Sequence, residues 1–194
     1  MRATRHALLV ATVATLLASS PLLAQAPSTA DPKEMARNAG EEGLDLYRAG
    51  KFDAAYERFS VAEQIAHSPV LVLWIARSKR GAQQLLAARR LFERVESEQL
   101  AATASPKWVT ARDEAKTELA ALVAKIPRIT LRAPGAPQES KLELDGKSVS
   151  AGVEIEVDPG AHTARATAPG HAAVSKTLVI EDGSATIELR MGGS

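Results

Sequence analysis

The chain contains no cysteine. That absence removes disulfides, thiol nucleophiles, thiolate metal sites and lipidation at a leader cysteine together. Aromatic residues are scarce, with two Trp, two Tyr and three Phe in 194 residues, so the cores must rest on Ala, Leu, Val and Ile. Cores that light suit paired helices and small sandwiches better than a deep ligand cavity. An excess of one charge is missing too: 24 basic residues face 23 acidic ones, and Arg2 and Arg5 stand in a leader. Nucleic-acid binding draws its affinity from counterions released by a basic surface, so none is expected here. Beyond the leader no apolar run approaches the roughly 20 residues that a membrane span needs.

What is present begins with an address. Arg2 and Arg5 precede the apolar stretch ALLVATVATLLASS, followed by Pro21 and small residues, and residues 1–24 read as a secretory signal. Cleavage is expected after Ala24, because a cut after Ala26 would place Pro27 next to it. The chain is thus expected to be exported, periplasmic or secreted. Residues 25–33, QAPSTADPK, read as a flexible leader.

From residue 34 to 126 the composition is that of helices, and after Pro127 two-residue alternation takes over. Two domains are expected, 34–126 and 127–194. Ala36, Ala39, Gly43, Leu46 and Tyr47 share one helical face, and Gly50 stops that helix. Phe52, Ala55, Tyr56, Phe59, Ala62 and Ile65 form the second stripe. Ser68-Pro69 opens a third helix, Leu85, Ala88, Phe92 and Val95 mark a fourth, and Ser105-Pro106 opens a fifth. Ala55 and Phe59 recur 33 residues later as Ala88 and Phe92, and Gly43 corresponds to Ala76. In the second copy the turn glycine is read as displaced to Gly81, with Leu85 in place of an aromatic.

In the second half RITLR, KLELDGK, VEIEV, HTARATA, SKTLVIE and ATIELRM alternate or carry β-branched residues, with Asp-Gly and Pro-Gly pairs between them. This predicts a small antiparallel sandwich, and the whole chain an α+β protein of about five helices followed by that sandwich. Ala164, Ala166 and Ala168 fall on one face of HTARATA. His162 and His171 stand at its two ends, about 30 Å apart at about 3.3 Å per extended residue, too far to share a metal ion.

GLDLYRAGKFDAAYERFSVA resembles the tetratricopeptide repeat in its small Gly43, Ala55 and Ala62, its aromatic Tyr47, Phe52 and Phe59, and its turn Gly50. The resemblance implies a helical array whose first helix in each pair faces a concave, partner-binding groove. VDPGAHTARATAPGH, preceded by ELDGK, resembles the PEGA domain, a β module of the extracytoplasmic side of bacteria. That second resemblance covers about residues 128–190, and His171 stands where the family tends to have an aromatic. Together they imply envelope localisation and an interaction role without catalysis.

Applied to this chain, the first resemblance implies a groove carrying Arg37, Tyr47, Arg48, Arg77 and Arg80. Guanidinium groups in a groove suit an acidic segment or a C-terminal carboxylate of a protein partner, and a solvated face paired with Glu34, Glu41 and Glu42 is the plainer alternative. Trp74 and Trp108 are weighed as ligand platforms and expected instead to seal the core against the fifth helix. Glu154 and Glu156 are expected outward in water, with Val153, Ile155 and Val157 inward, which denies either carboxylate the burial a general acid needs. No histidine pair has metal-ligand spacing, and no nucleophile elbow or phosphate loop occurs, so no catalytic residue, metal or cofactor is expected. Two repeats are fewer than the roughly three a free-standing solenoid needs, which predicts a tendency to self-associate. A glycan-binding β module on a helical spacer is the rival reading, weakened by the lack of Phe, Trp or Tyr after residue 127.

Overall fold

A computed structural model describes residues 31–192. The signal-peptide reading, and the leader as far as Ala30, lie outside them. Five helices come first: α1 (Pro32–Arg48), α2 (Phe52–Ile65), α3 (Pro69–Gly81), α4 (Leu85–Ser97) and α5 (Pro106–Val123). Seven strands follow: β1 (Arg128–Arg132), β2 (Lys141–Leu144), β3 (Lys147–Val149), β4 (Glu154–Glu156), β5 (Gly160–Thr167), β6 (Val174–Ile180) and β7 (Ser184–Glu188). The fold is α+β, a helical array followed by two sheets.

The first helix starts earlier than the leader reading placed it. Asp31 accepts the Lys33 amide at 3.0 Å and Pro32 occupies the first turn, so residues 31–33 are cap and helix. Each helix packs on the next, and α5 folds back to touch both α3 and α4. One core lies among α3, α4 and α5, built on Val72, Ala76, Phe92 and Leu122. A smaller one joins α1, α2 and α3 around Ala55, Phe59 and Ile75.

The repeat extends to the backbone. In the α1–α2 turn Lys51 donates to the Leu46 carbonyl, Gly50 to Tyr47 and Ala49 to Asp45. In the α3–α4 turn Gln84 donates to Lys79, Gln83 to Arg80 and Ala82 to Ser78, the same bonds 33 positions on. Both are helix-ending motifs that need one left-handed residue. Gly50 supplies it at φ 72° in the first copy, and Gln83 supplies it at φ 60° in the second. The glycine of the second copy has therefore not moved to Gly81, as its sequence position suggested. Gly81 is the last residue of α3, and a Cβ there would lie 2.5 Å from the Phe52 ring. Gly43 does the same under Phe59, at 2.7 Å. These glycines are bare so that aromatic rings can lie on the helix backbone.

The strands form a three-stranded sheet ordered β4-β1-β7 and a four-stranded sheet ordered β3-β2-β5-β6. All pairs are antiparallel except β1 with β7, which run parallel with Ile129 beside Ala185 and Leu131 beside Ile187. A long connection between parallel partners is required, and five intervening strands provide it. Ile129, Leu131, Leu142, Leu144, Ala164, Ala166, Ile180, Ile187 and Leu189 fill the space between the sheets. Ile126 packs in the helical core and Ile129 in the sheet core, with Pro127 fully buried between them. The helical array and the sheets therefore meet with almost no slack.

Two expectations for β4 fail. Val153 is 53% exposed, because it lies before the strand and in its entry turn. Glu156 is half-buried, because Arg89 of α4 and Arg128 of β1 bind its carboxylate at 2.5 and 3.4 Å.

Candidate functional site

Because α5 doubles back onto α3, the first half of α1 and the start of α5 stand on either side of α3. Between them runs a groove of about 530 Å³. Its floor is Val70, Leu71 and Trp74 of α3, with Gly40 and Leu44 of α1 on one wall and Trp108 of α5 on the other. Trp74 is fixed by two rings and a charge. Tyr47 meets it edge-on at 5.1 Å, Phe59 stacks at 5.9 Å, and the Arg77 guanidinium lies 4.7 Å from its ring centre. It remains half-exposed to the groove rather than sealed beneath α5, and so does Trp108. The sequence reading preferred core for both. The missed signal is that an array of two pairs and one helix leaves its first wall facing its last.

The predicted arginines divide into two sets. Arg77 and Arg80 are brought together, and α5 already answers them. Glu118 accepts from Arg77 Nε at 2.9 Å and from Arg80 at 2.7 Å, and Glu114 accepts from Arg77 at 2.7 Å. With only 16% of its side chain exposed, Arg77 is a structural ion of the α3–α5 contact. Tyr47 belongs to the aromatic cluster around Trp74. Arg48 sits at the far end of α1, paired with Asp45 at 3.2 Å and outside the groove lining. Arg37 alone of the set lines the groove with a loosely held charge, 4.0 Å from Glu34 and 3.9 Å from Glu41. Lys107 faces it from the start of α5. The groove is thus apolar along its floor, with Arg37 beside Glu41 on one rim and Lys107 on the other. Side chains of that kind hold an extended or helical protein segment by its apolar residues and reward an acidic one.

At one end of the groove His67 bridges Glu63 and Glu98, each at 2.9 Å, and Arg94 also binds Glu63 at 2.8 Å. The hydrogen bond to Glu98, then that to Glu63, holds the imidazole above its ordinary pKa. The bond from His67 likewise holds Glu63 below the usual carboxylate range. The sequence placed His67 at a helix end, and its partner 31 residues away is what the fold adds.

His162 and His171 have separate partners. His162 contacts Asp145 and Asp158, whereas His171 Nδ1 donates to the Gly192 carbonyl at 3.1 Å. Among the described residues no group of three or more His, Asp or Glu side chains is placed to hold a metal ion, and no helix is long and apolar enough to cross a membrane. No protein-family model matches the chain, and no curated protein matches it.

Proposed function

We propose that this chain is an exported, non-enzymatic scaffold of the bacterial cell envelope, in which the helical array holds a segment of a protein partner and the β module is its extracytoplasmic companion. The observation that carries the reading is the α1–α3–α5 groove, with Trp74, Trp108, Leu44 and Leu71 turned into it and Arg37 and Lys107 on its rims. The tetratricopeptide-like spacing and the PEGA-like turns support the same assignment, and the apolar leader supports export. Groove residues replace the arginine cluster as the binding surface, because the carboxylates of α5 occupy Arg77 and Arg80.

The test is capture of partners from envelope extract. Trp108→Ala and Arg37→Glu should each lose a protein partner that Arg48→Glu retains. Capture unaffected by both groove substitutions would overturn the reading, and so would binding to purified sacculi as the sole activity.

A further inference from the structure

His162 is nearly buried, at 9% exposure, and both of its ring nitrogens face oxygen acceptors. Nδ1 lies 2.7 Å from Asp145 Oδ2, and Nε2 lies 2.7 Å from the Asp158 carbonyl oxygen. The other Asp145 oxygen accepts the Thr163 amide at 2.8 Å, which fixes the carboxylate as an acceptor on both sides. Both contacts are hydrogen bonds only if each ring nitrogen carries a proton, that is, in the imidazolium. A neutral ring has one proton to place. The ionised carboxylate claims it, since a charged acceptor binds N–H more strongly than a carbonyl does. Nε2 then turns a lone pair toward the Asp158 carbonyl, and that contact becomes repulsive.

The carbonyl in question belongs to the segment by which the β module grips the helical array. Asp158 Oδ1 accepts the amide of Leu86 in the first turn of α4 at 2.8 Å. Two residues earlier, Glu156 binds Arg89 of the same helix and Arg128 of β1. We propose that His162 is a proton-operated latch: charged, it clamps the β4–β5 loop where Asp158 caps α4, and neutral, it lets that loop go and loosens the module from the array.

The charges that bear on His162 are Asp145 on the β2–β3 turn and Asp158 on the β4–β5 loop, with Lys147 acting on the far side of Asp145. Across the sheet β6 presents Leu178, which carries no charge, and the near cation of α4, Arg89, is engaged by Glu93 and Glu156. Burial pulls the imidazole pKa down, but the hydrogen bonds and charges of Asp145 and Asp158 outweigh it and hold the ring above its ordinary value. A raised folded value means that the clamp is complete in acid, below the ordinary value of about 6.5, and is lost as pH climbs through the raised one.

The experiment follows the His162 ring by NMR in the intact chain together with hydrogen exchange at the Leu86 amide, corrected for its intrinsic base catalysis. Leu86 protection should fall about tenfold or more with the midpoint of the imidazole titration, while the Phe59 amide inside α2 keeps its own. His162→Gln cannot place donors on both acceptors and should show low Leu86 protection at every pH. Asp158→Ala keeps the carbonyl but removes one of the charges that raise the imidazole pKa, so His162 should still titrate, with a lower midpoint than in the native chain, while Leu86 is unprotected throughout. Constant Leu86 protection through the His162 titration would overturn the latch, as would wild-type protection in Asp158→Ala. If His162→Gln does not fold, the wild-type titration and Asp158→Ala still decide.

Discussion

Gln83 sits at φ 60° with a side chain that a left-handed residue carries only at a cost of about 1–2 kcal/mol. Gly50 makes the same turn bonds one repeat earlier without that cost. Gln83→Gly should therefore raise the stability of the array by about 1 kcal/mol, read as a higher urea midpoint with an unchanged slope. Gly81→Ala should do the opposite and cost about 1–3 kcal/mol, because its methyl group would enter the Phe52 ring at 2.5 Å. A glycine in a sequence does not announce whether it serves a dihedral angle or a close neighbour. Here the 33-residue offset, applied to Gly50 itself, points to Gln83, and that clue was legible. The contact under Phe52 was not, because it joins helices whose angle only packing decides. Asp145 and Gly146, at φ 50° and 74°, are the reverse case, a two-residue turn that the Asp-Gly pair spelled out.

Among the elements, α5 carries the most consequence per residue. Glu114 and Glu118, one turn apart on one face, close on Arg77 and Arg80, also one turn apart on α3. Glu118→Gln should cost about 2 kcal/mol in chemical denaturation, the scale of a lost hydrogen bond to a partly buried charge. Reversing Arg77 would disturb the same contact, so it cannot serve as a pure binding variant. The α2–α4 clip behaves as a titration. His67 has a raised pKa, so its contribution is full below the unfolded value of about 6.5 and fades as pH rises through the folded one. The denaturant midpoint should fall from about pH 6 to about pH 9 by more in the native chain than in His67→Asn. Helix existence and the alternating strands were readable, because 3.6- and 2-residue periods survive in the sequence. The three-residue β3 was too short for a period to show. Glu156 was placed on the correct side of its strand, yet a strand pattern names a face and not what lies over it.

At the scale of the whole molecule, the helical array and the sheets touch through α4 and the β4–β5 loop as well as through the buried Pro127. Removing that grip with Glu156→Gln and Asp158→Ala together should split a single calorimetric transition into two, one per core. A single unchanged transition would mean that the link through Pro127 suffices to couple them. The groove could not be read from the chain, since its walls lie about 70 residues apart in sequence, from Ala36 to Trp108, and meet only through the stacking of intervening pairs. Of the predicted arginines only Arg77 and Arg80 come together, and the acid that satisfies them comes from the same chain.

The identity of the two inter-helix turns has a consequence for building with this protein. Since Gly50 and Gln83 end their helices with matching backbone bonds, residues 51–83 form an interchangeable brick. A duplicate of it spliced after Gln83 should lengthen the stack by one storey while leaving both the terminal helix and the β module their present seats.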